Sequence, residues 1–287
     1  MQPGPDLLPS RHHIKFIPVA AYKLFNTYLC RMKIPLTRYF IYIAFKGNSY
    51  HGWQIQPNSV TVQKILDDTL CTILNEKISA TGAGRTDSGV HASVFCAHFD
   101  SVISDLDLNK RLIFRLNRFL PKDISVTRLV KVRAEAHARF SAVSRTYRYN
   151  ISKIKNPFTW DSEWFLHGKI DVNLMNDACR LLFKHDDFTS FSKLHSDVKT
   201  NICKILHAGW TETDEKIIFT IKADRFLRNM VRAIVGTMAE LGKGKISLQE
   251  FDEIILAKDR CRAGRSAPAK GLFLIDIEYP EEIFMFR

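Results

Sequence analysis

Strands and helices interleave along this 287-residue chain and strands often neighbour strands, which predicts an α+β fold with largely antiparallel sheets. Two observations carry that reading. β-branched and aromatic runs such as residues 38–46 (RYFIYIAFK) alternate with stretches whose apolar residues recur at helical spacing. The order strand–helix–strand–helix–strand also recurs loosely in each half of the chain, without a repeated motif. The expectation is therefore two similar halves, 37–150 and 151–287, each a sheet flanked by helices, meeting at a central cleft, behind an N-terminal extension over 1–36.

The elements follow in order. Residues 38–46 read as a buried strand, closed by the turn signal Gly47-Asn48-Ser49. Val62, Ile65, Leu66, Thr69, Leu70, Ile73 and Leu74 share one face of a helix over 61–77. Residues 94–99 read as a strand, 109–119 as a helix stopped by Pro121, and 124–132 and 145–151 as strands. In the second half, Asp171 caps a helix running to residue 183. Residues 202–211 and 216–222 read as a strand pair around residues 212–215. Leu227, Met230, Val231, Ile234, Val235, Met238 and Leu241 stripe a helix over 226–241, which Gly242 and Gly244 end. Ser247 and Glu250 form a capping box for a short helix, and 272–277 reads as the last strand.

Apolar residues make up 46% of the chain and charged residues 25%, so a sizeable core can form and disorder is excluded. The formal net charge is +12, which favours a polyanionic partner, nucleic acid before membrane. No apolar run is long enough to span a membrane. The six cysteines show no zinc-ligand or CxxC spacing and read as free thiols of a reducing compartment, which points to the cytoplasm. The first 36 residues hold five prolines and carry +4, from Arg11, Lys15, Lys23, Arg31 and Lys33 against Asp6. Three readings of them stay open: an organellar transit peptide, a weak signal core, or a dispensable extension ahead of a start at Met32. The body keeps +8 without them, so its basic character is not a tail effect.

The segment TGAGRTDSGVHA, residues 81–92, is the densest in chemistry. It lacks the full GxGxxG pattern and precedes a strand, which argues against a dinucleotide turn. Gly242 to Lys245 lacks the spacing and hydroxyl of a phosphate loop. Gly84-Arg85-Thr86-Asp87 instead offers a short acid on a glycine-flexed loop with a cation two residues away. A carboxylate so compensated stays ionised and can act as nucleophile or base; a turn aspartate beside a surface arginine has the same composition.

GAGRTDSGVHA resembles the signature of the TruA family of tRNA pseudouridine synthases, and further blocks follow in the family's order. These are Tyr50-His-Gly-Trp-Gln54 with Gln56, Thr61-Val-Gln63, His137-Ala-Arg-Phe-Ser-Ala142 and Arg145-Thr-Tyr-Arg-Tyr149. Then come Asp187-Phe-Thr-Ser-Phe191, Phe226 with Met230-Val-Arg232 and Gly236, and Ala267-Pro-Ala269 with Gly271-Leu272. Together they span residues 38–279; the 36-residue extension is the main departure.

The resemblance implies an isomerase that turns uridine into pseudouridine in the anticodon stem-loop of tRNA, at positions 38 to 40, without metal or other cofactor. It implies tRNA as partner and a homodimer. Asp87 matches the family's catalytic aspartate, acting on the base, on the sugar or as a base. Arg232 matches its helix cation and is the expected partner of Asp87; Arg228, four residues earlier, flanks the same apolar stripe. Arg85 would orient Asp87 or bind a phosphate. Tyr147 matches the substrate-binding tyrosine, able to stack on an extruded uracil. Leu272 lines the pocket or packs as a core leucine, Tyr149 reads as core, and His91 and His137 read as structural. Arg139, Arg145 and Arg148 flank the tyrosine block; with Lys110, Arg111, Arg115 and Arg118, and with Lys258, Arg260, Arg262, Arg265 and Lys270, they would form a broad RNA footprint. Two other readings fit the same residues: a non-catalytic tRNA-binding or tRNA-folding protein, and an organellar synthase with a different RNA target.

Overall fold

The computed structural model describes residues 35–193 and 200–285, so the expectations for the N-terminal extension lie outside the described residues. β1 (Thr37–Phe45) is apolar on both faces because both are covered: Tyr39, Phe40, Ile41 and Ile43 are wholly buried. Thr61 caps α1 (Val62–Leu74), which stops at Asn75 in the left-handed region (φ 54°), three residues before the expected end. A short β2 (Thr81–Gly82) leads into the motif segment, and β3 (His91–Ser101) leaves it, starting earlier than its apolar run suggested. α2 (Leu112–Phe119), β4 (Ile124–Lys131) and β5 (Ser144–Ser152) follow.

Beyond them lie β6 (Trp164–Phe165), α3 (Val172–Leu182), β7 (Ile205–Glu212) and β8 (Lys216–Ala223). α4 (Met230–Gly242), α5 (Leu248–Leu256), capped by the expected Ser247/Glu250 box, and β9 (Leu272–Glu278) complete the chain of elements. α4 starts four residues later than the apolar stripe predicts. Asn229 at φ 67° cannot continue a right-handed helix, so Phe226, Leu227 and Arg228 form a loop whose apolar members pack on the stripe from outside.

The nine strands form one mostly antiparallel sheet, ordered β4-β1-β3-β9-β5-β8-β7, with β2 on β3 and β6 on β5. This is the α+β architecture expected. One core lies on the β4-β1-β3 side with α1 and α2; the other lies on the β5-β8-β7 side with α3, α4 and α5. The division expected between residues 150 and 151 falls within β5. β9, last in sequence, lies between the two sides. It runs parallel to β3 for His91↔Phe273 and Ala92↔Leu274 and antiparallel to β5. Among the described residues no helix is long and apolar enough to cross a membrane.

Candidate active site

Residues 83–90 are held from below by the Tyr50–Trp53 turn. Ser88 Oγ donates to Tyr50 O (3.2 Å), and Tyr50 OH donates to Asp123 Oδ1 (2.7 Å), fixing the turn to the start of β4. Gly52, at φ +81°, lets the turn approach the Thr86 carbonyl where a Cβ would collide. Val90 N donates to Asp87 O (3.2 Å), so Asp87 opens a tight turn with Gly89 at φ +79°. The carboxylate is thereby presented on a backbone that cannot retreat.

Arg232, in the first turn of α4, reaches it. Its Nη1 donates to Asp87 Oδ2 at 3.0 Å, its Nε donates to Ala267 O at 2.8 Å, and Ala267 N donates back to Arg232 O at 2.9 Å. Both ionic side chains are about one-fifth exposed, 20% and 21%. The expected pairing is therefore present, and Nε and Nη1 of the guanidinium each have an acceptor. Arg228 Nε lies 3.8 Å from Asp87 Oδ1, beyond hydrogen-bond reach, and its side chain is half-exposed. It reaches the carboxylate from the loop before α4, not from the helix as the wheel suggested. Asn229 fixes that loop through Nδ2 to Ser266 Oγ (2.7 Å).

Tyr147, on β5, stands edge-on to Phe226, ring centroids 5.0 Å apart. Burial pushes its phenol up to about 12, with Arg145 acting to lower it and Asp87 to raise it, so the hydroxyl stays protonated and able to donate at neutral pH. Tyr149, two residues on, is wholly buried and donates its hydroxyl to Pro268 O (2.7 Å). Leu272 is buried opposite Tyr149 in the second core. Arg85 is exposed and, among the described residues, pairs with no carboxylate, so the structure does not give it the orienting contact with Asp87. Arg139 is exposed with its guanidinium 5.6 Å from the Phe140 ring centre.

Arg145 is the residue whose place the sequence did not disclose. The sequence groups it with surface cations, yet it is half-buried and its guanidinium donates to four backbone carbonyls: Ala83 (3.3 Å), Arg139, Ala142 (3.2 Å) and Asp224 (2.8 Å). These belong to the motif segment, the 137–142 block and the loop before Arg228, so one side chain ties three site segments together. Burial pushes its pKa down without threatening the charge. The signal was strand alternation: Arg145, Tyr147 and Tyr149 share an inward face. His91 Nδ1 accepts from Gly47 N (3.0 Å) and His137 Nδ1 accepts from Arg139 N (3.1 Å), structural roles both.

The basic groups divide. Lys110, Arg111, Arg115 and Arg118 are exposed around α2, whereas Lys258 pairs with Asp187 (3.0 Å) and Arg260 caps Ala263 and Gly264 carbonyls. Among the described residues, no cluster of His, Cys, Asp or Glu has the makings of a metal site.

Comparison with known proteins gives concordant matches. Residues 178–280 match a family model described as tRNA pseudouridine synthase. A tRNA pseudouridine synthase A of Bacteroides fragilis is 55% identical over 248 residues, covering 86% of this chain and 98% of that protein. Its counterpart in Parabacteroides distasonis is 53% identical over 87% of this chain and 98% of its own length. The Bacillus licheniformis protein of the same name is 37% identical, over 83% of this chain and 97% of its own.

Proposed function

Because the chain belongs to the tRNA pseudouridine synthase A family, a family of isomerases, we propose that it converts uridine to pseudouridine in the anticodon stem-loop of tRNA, at positions 38 to 40. The observation that carries the catalytic reading is the ion pair of Asp87 with Arg232, 145 residues apart in sequence and joined at a hydrogen-bonded turn. In the reaction the bond from uracil N1 to ribose C1′ breaks, the base turns, and C5 bonds to C1′. The C5 hydrogen leaves as a proton and N1 takes one up, so nothing is consumed.

Asp87 is the reacting group, as nucleophile or as base, and Arg232 holds its carboxylate ionised and aimed. Arg228, loosely held and half-exposed, and Arg85, exposed, take the phosphates beside the target. Tyr147 packs against the extruded uracil, and Arg139 on its exposed loop meets the RNA backbone. Leu272 supports the pocket floor from the core. Extruding the base from a stem costs a few kcal/mol of stacking and pairing, which basic contacts of this kind offset. The enzyme works as a homodimer in the cytoplasm, a reducing compartment in keeping with the unpaired thiols of Cys71, Cys96, Cys179, Cys203 and Cys261.

The test is tritium release from tRNA labelled at uridine C5, with Asp87→Asn as the paired variant. Release by the wild type and none by a folded Asp87→Asn protein that still binds tRNA is expected. No release by the wild type from unmodified tRNA carrying uridines at 38 to 40 refutes the assignment. Equal release by both proteins leaves the activity standing and removes Asp87 from the chemistry.

A further inference from the structure

Residues 154–163, between β5 and β6, hold two aromatic rings out in solvent: Phe158 is 90% exposed and Trp160 67%. Slack backbone is not the cause. Asn156 Oδ1 accepts from Phe158 N (2.9 Å), and the buried Glu163 accepts from Thr159 Oγ1 (2.8 Å) and pairs with Lys216. From outside the loop, Asn48 Nδ2 donates to Asp161 O (2.9 Å), Lys46 pairs with the Asp161 carboxylate (3.4 Å), and Lys270 Nζ donates to Trp160 O. The Lys270 ammonium also lies 5.7 Å from the centre of the Trp160 ring. The backbone is pinned at several points while the rings are left bare, although each would gain by burial.

The segments that pin it are the ones that hold Asp87. The turn at residues 46–50 accepts the Ser88 hydroxyl through Tyr50 O, and Gly47 N donates to His91. Ala269, next to Lys270, lies where a Cβ on Gly89 would meet it at 3.3 Å. The two rings therefore stand on the same rigid assembly as the candidate active site.

We propose that Phe158 and Trp160 form a stacking platform for unpaired nucleotides of the RNA substrate outside the uridine pocket, a reading that rests on the RNA-modifying function proposed above. Aromatic faces with cations beside them suit unpaired bases strung on phosphates. Lys270 lies over the Trp160 ring and Lys46 reaches the same loop at Asp161, with Lys155 in the same loop sequence; the acids Asp161 and Glu163 are already engaged by Lys46 and Lys216. A second copy of the chain fits less well, since a self-complementary contact through this patch sets the same lysines against each other.

The test is filter binding of unmodified tRNA to the full chain, with short oligouridylate and duplex RNA as competitors. The double variant Phe158→Leu/Trp160→Leu keeps apolar bulk and removes the aromatic faces; Phe158→Tyr/Trp160→Phe keeps both. The platform predicts a Kd raised about tenfold or more in the leucine variant and restored to within about twofold in the aromatic one. It also predicts that oligouridylate competes with tRNA for the wild type but much less for the leucine variant, while duplex RNA competes alike for both. An unchanged Kd in the leucine variant, with unchanged circular dichroism, overturns it. So does a leucine variant that sediments as a smaller species than the wild type while binding tRNA as tightly, which would make the patch a contact between copies. Tritium release by the wild type, read in the same preparation, reports separately on the catalytic assignment: loss of binding in the leucine variant without release by the wild type would sustain the platform and refute the synthase.

Discussion

Gly236 sets how closely α4 approaches the segment that anchors Arg232, and Gly236→Ala tests whether that approach matters. A methyl there would sit 3.0 Å from the Arg265 carbonyl carbon and 3.1 Å from Ala267 N, and nearer still to Arg265 O, all backbone atoms. Ordinary contact begins at 3.4 Å, so residues 265–267 must retreat. Two terms oppose. Alanine is favoured over glycine inside a helix by about 1 kcal/mol. Overpacking costs about 1–3 kcal/mol, and so close an approach to the Arg265 carbonyl oxygen belongs to the upper part, about 2–3 kcal/mol. The sum is a loss of about 1–2 kcal/mol, or a fall in Tm of about 2–6 °C. Activity should fall further than stability, because the displaced segment carries both hydrogen bonds between Arg232 and Ala267, 2.8 and 2.9 Å. A shift of about 1 Å in a positioning group can cost on the order of a hundredfold in rate. Calorimetry and tritium release would be compared with Gly209→Ala, where the added methyl meets nothing nearer than 3.8 Å. A Gly236→Ala enzyme with unchanged or raised Tm and wild-type kcat/KM would refute the reasoning.

Arg145→Met should lower both Tm and kcat/KM, since it strands four carbonyls that share one guanidinium, and Arg145→Lys, with a single ammonium, should recover only part of either. His98 accepts from Ala138 N through Nδ1 (3.1 Å), and burial, aided by His137 and Arg38, pushes its pKa down to about 4 from 6.5. Its contribution is therefore whole above pH 6.5 and lost as pH falls towards 4, about 3 kcal/mol in all; urea midpoints of His98→Asn, which keeps an acceptor and does not titrate, should fall less over that window. Asp67 accepts from Ala80 N (2.8 Å) with its pKa raised by burial from 3.8 to about 6, so stability present below pH 4 is lost as pH rises through 6. Asp67→Asn should then be more stable than wild type by about 1–3 kcal/mol at pH 7 and equal to it at pH 4.

The elements that pattern alone disclosed are those in which one face meets a core. Residues 38–46, 61–77 and 247–256 show this, each placed within a few residues. The helix over 226–241 was overdrawn at its start because Leu227 is buried against the same stripe as Met230 and Val231, and apolar spacing does not register a left-handed Asn229. At the site, the resemblance paired Arg232 with Asp87, and the two side chains do meet; that Phe226 packs edge-on against Tyr147 left no mark in the sequence. Arg145 was misread for a reason of burial: charge composition treats every arginine as surface, while backbone carbonyls can satisfy a guanidinium as fully as water does. The exposed rings of Phe158 and Trp160 gave no signal, since an aromatic in a loop reads alike whether it packs or protrudes.

The ion pair of Asp87 and Arg232 depends on the last strand of the chain. β3, which follows Asp87, and β5, which carries Tyr147, are not neighbours in the sheet; β9 lies between them. β3 and β9 pair through only two residues each, at His91 and Ala92 with Phe273 and Leu274, directly beyond the motif segment. Ala267, which fixes Arg232, lies just ahead of β9, and Ala269 packs against Gly89 just beyond Asp87. Docking β9 therefore sets the distance between the two cores and brings up the anchor of the arginine in one step. Until then a carboxylate and a guanidinium from opposite sides of the sheet have nothing to hold them at 3.0 Å. Contacts so distant in sequence form late, after the loop entropy of closing them has been met. The acid therefore has its compensating cation only where β9 is docked.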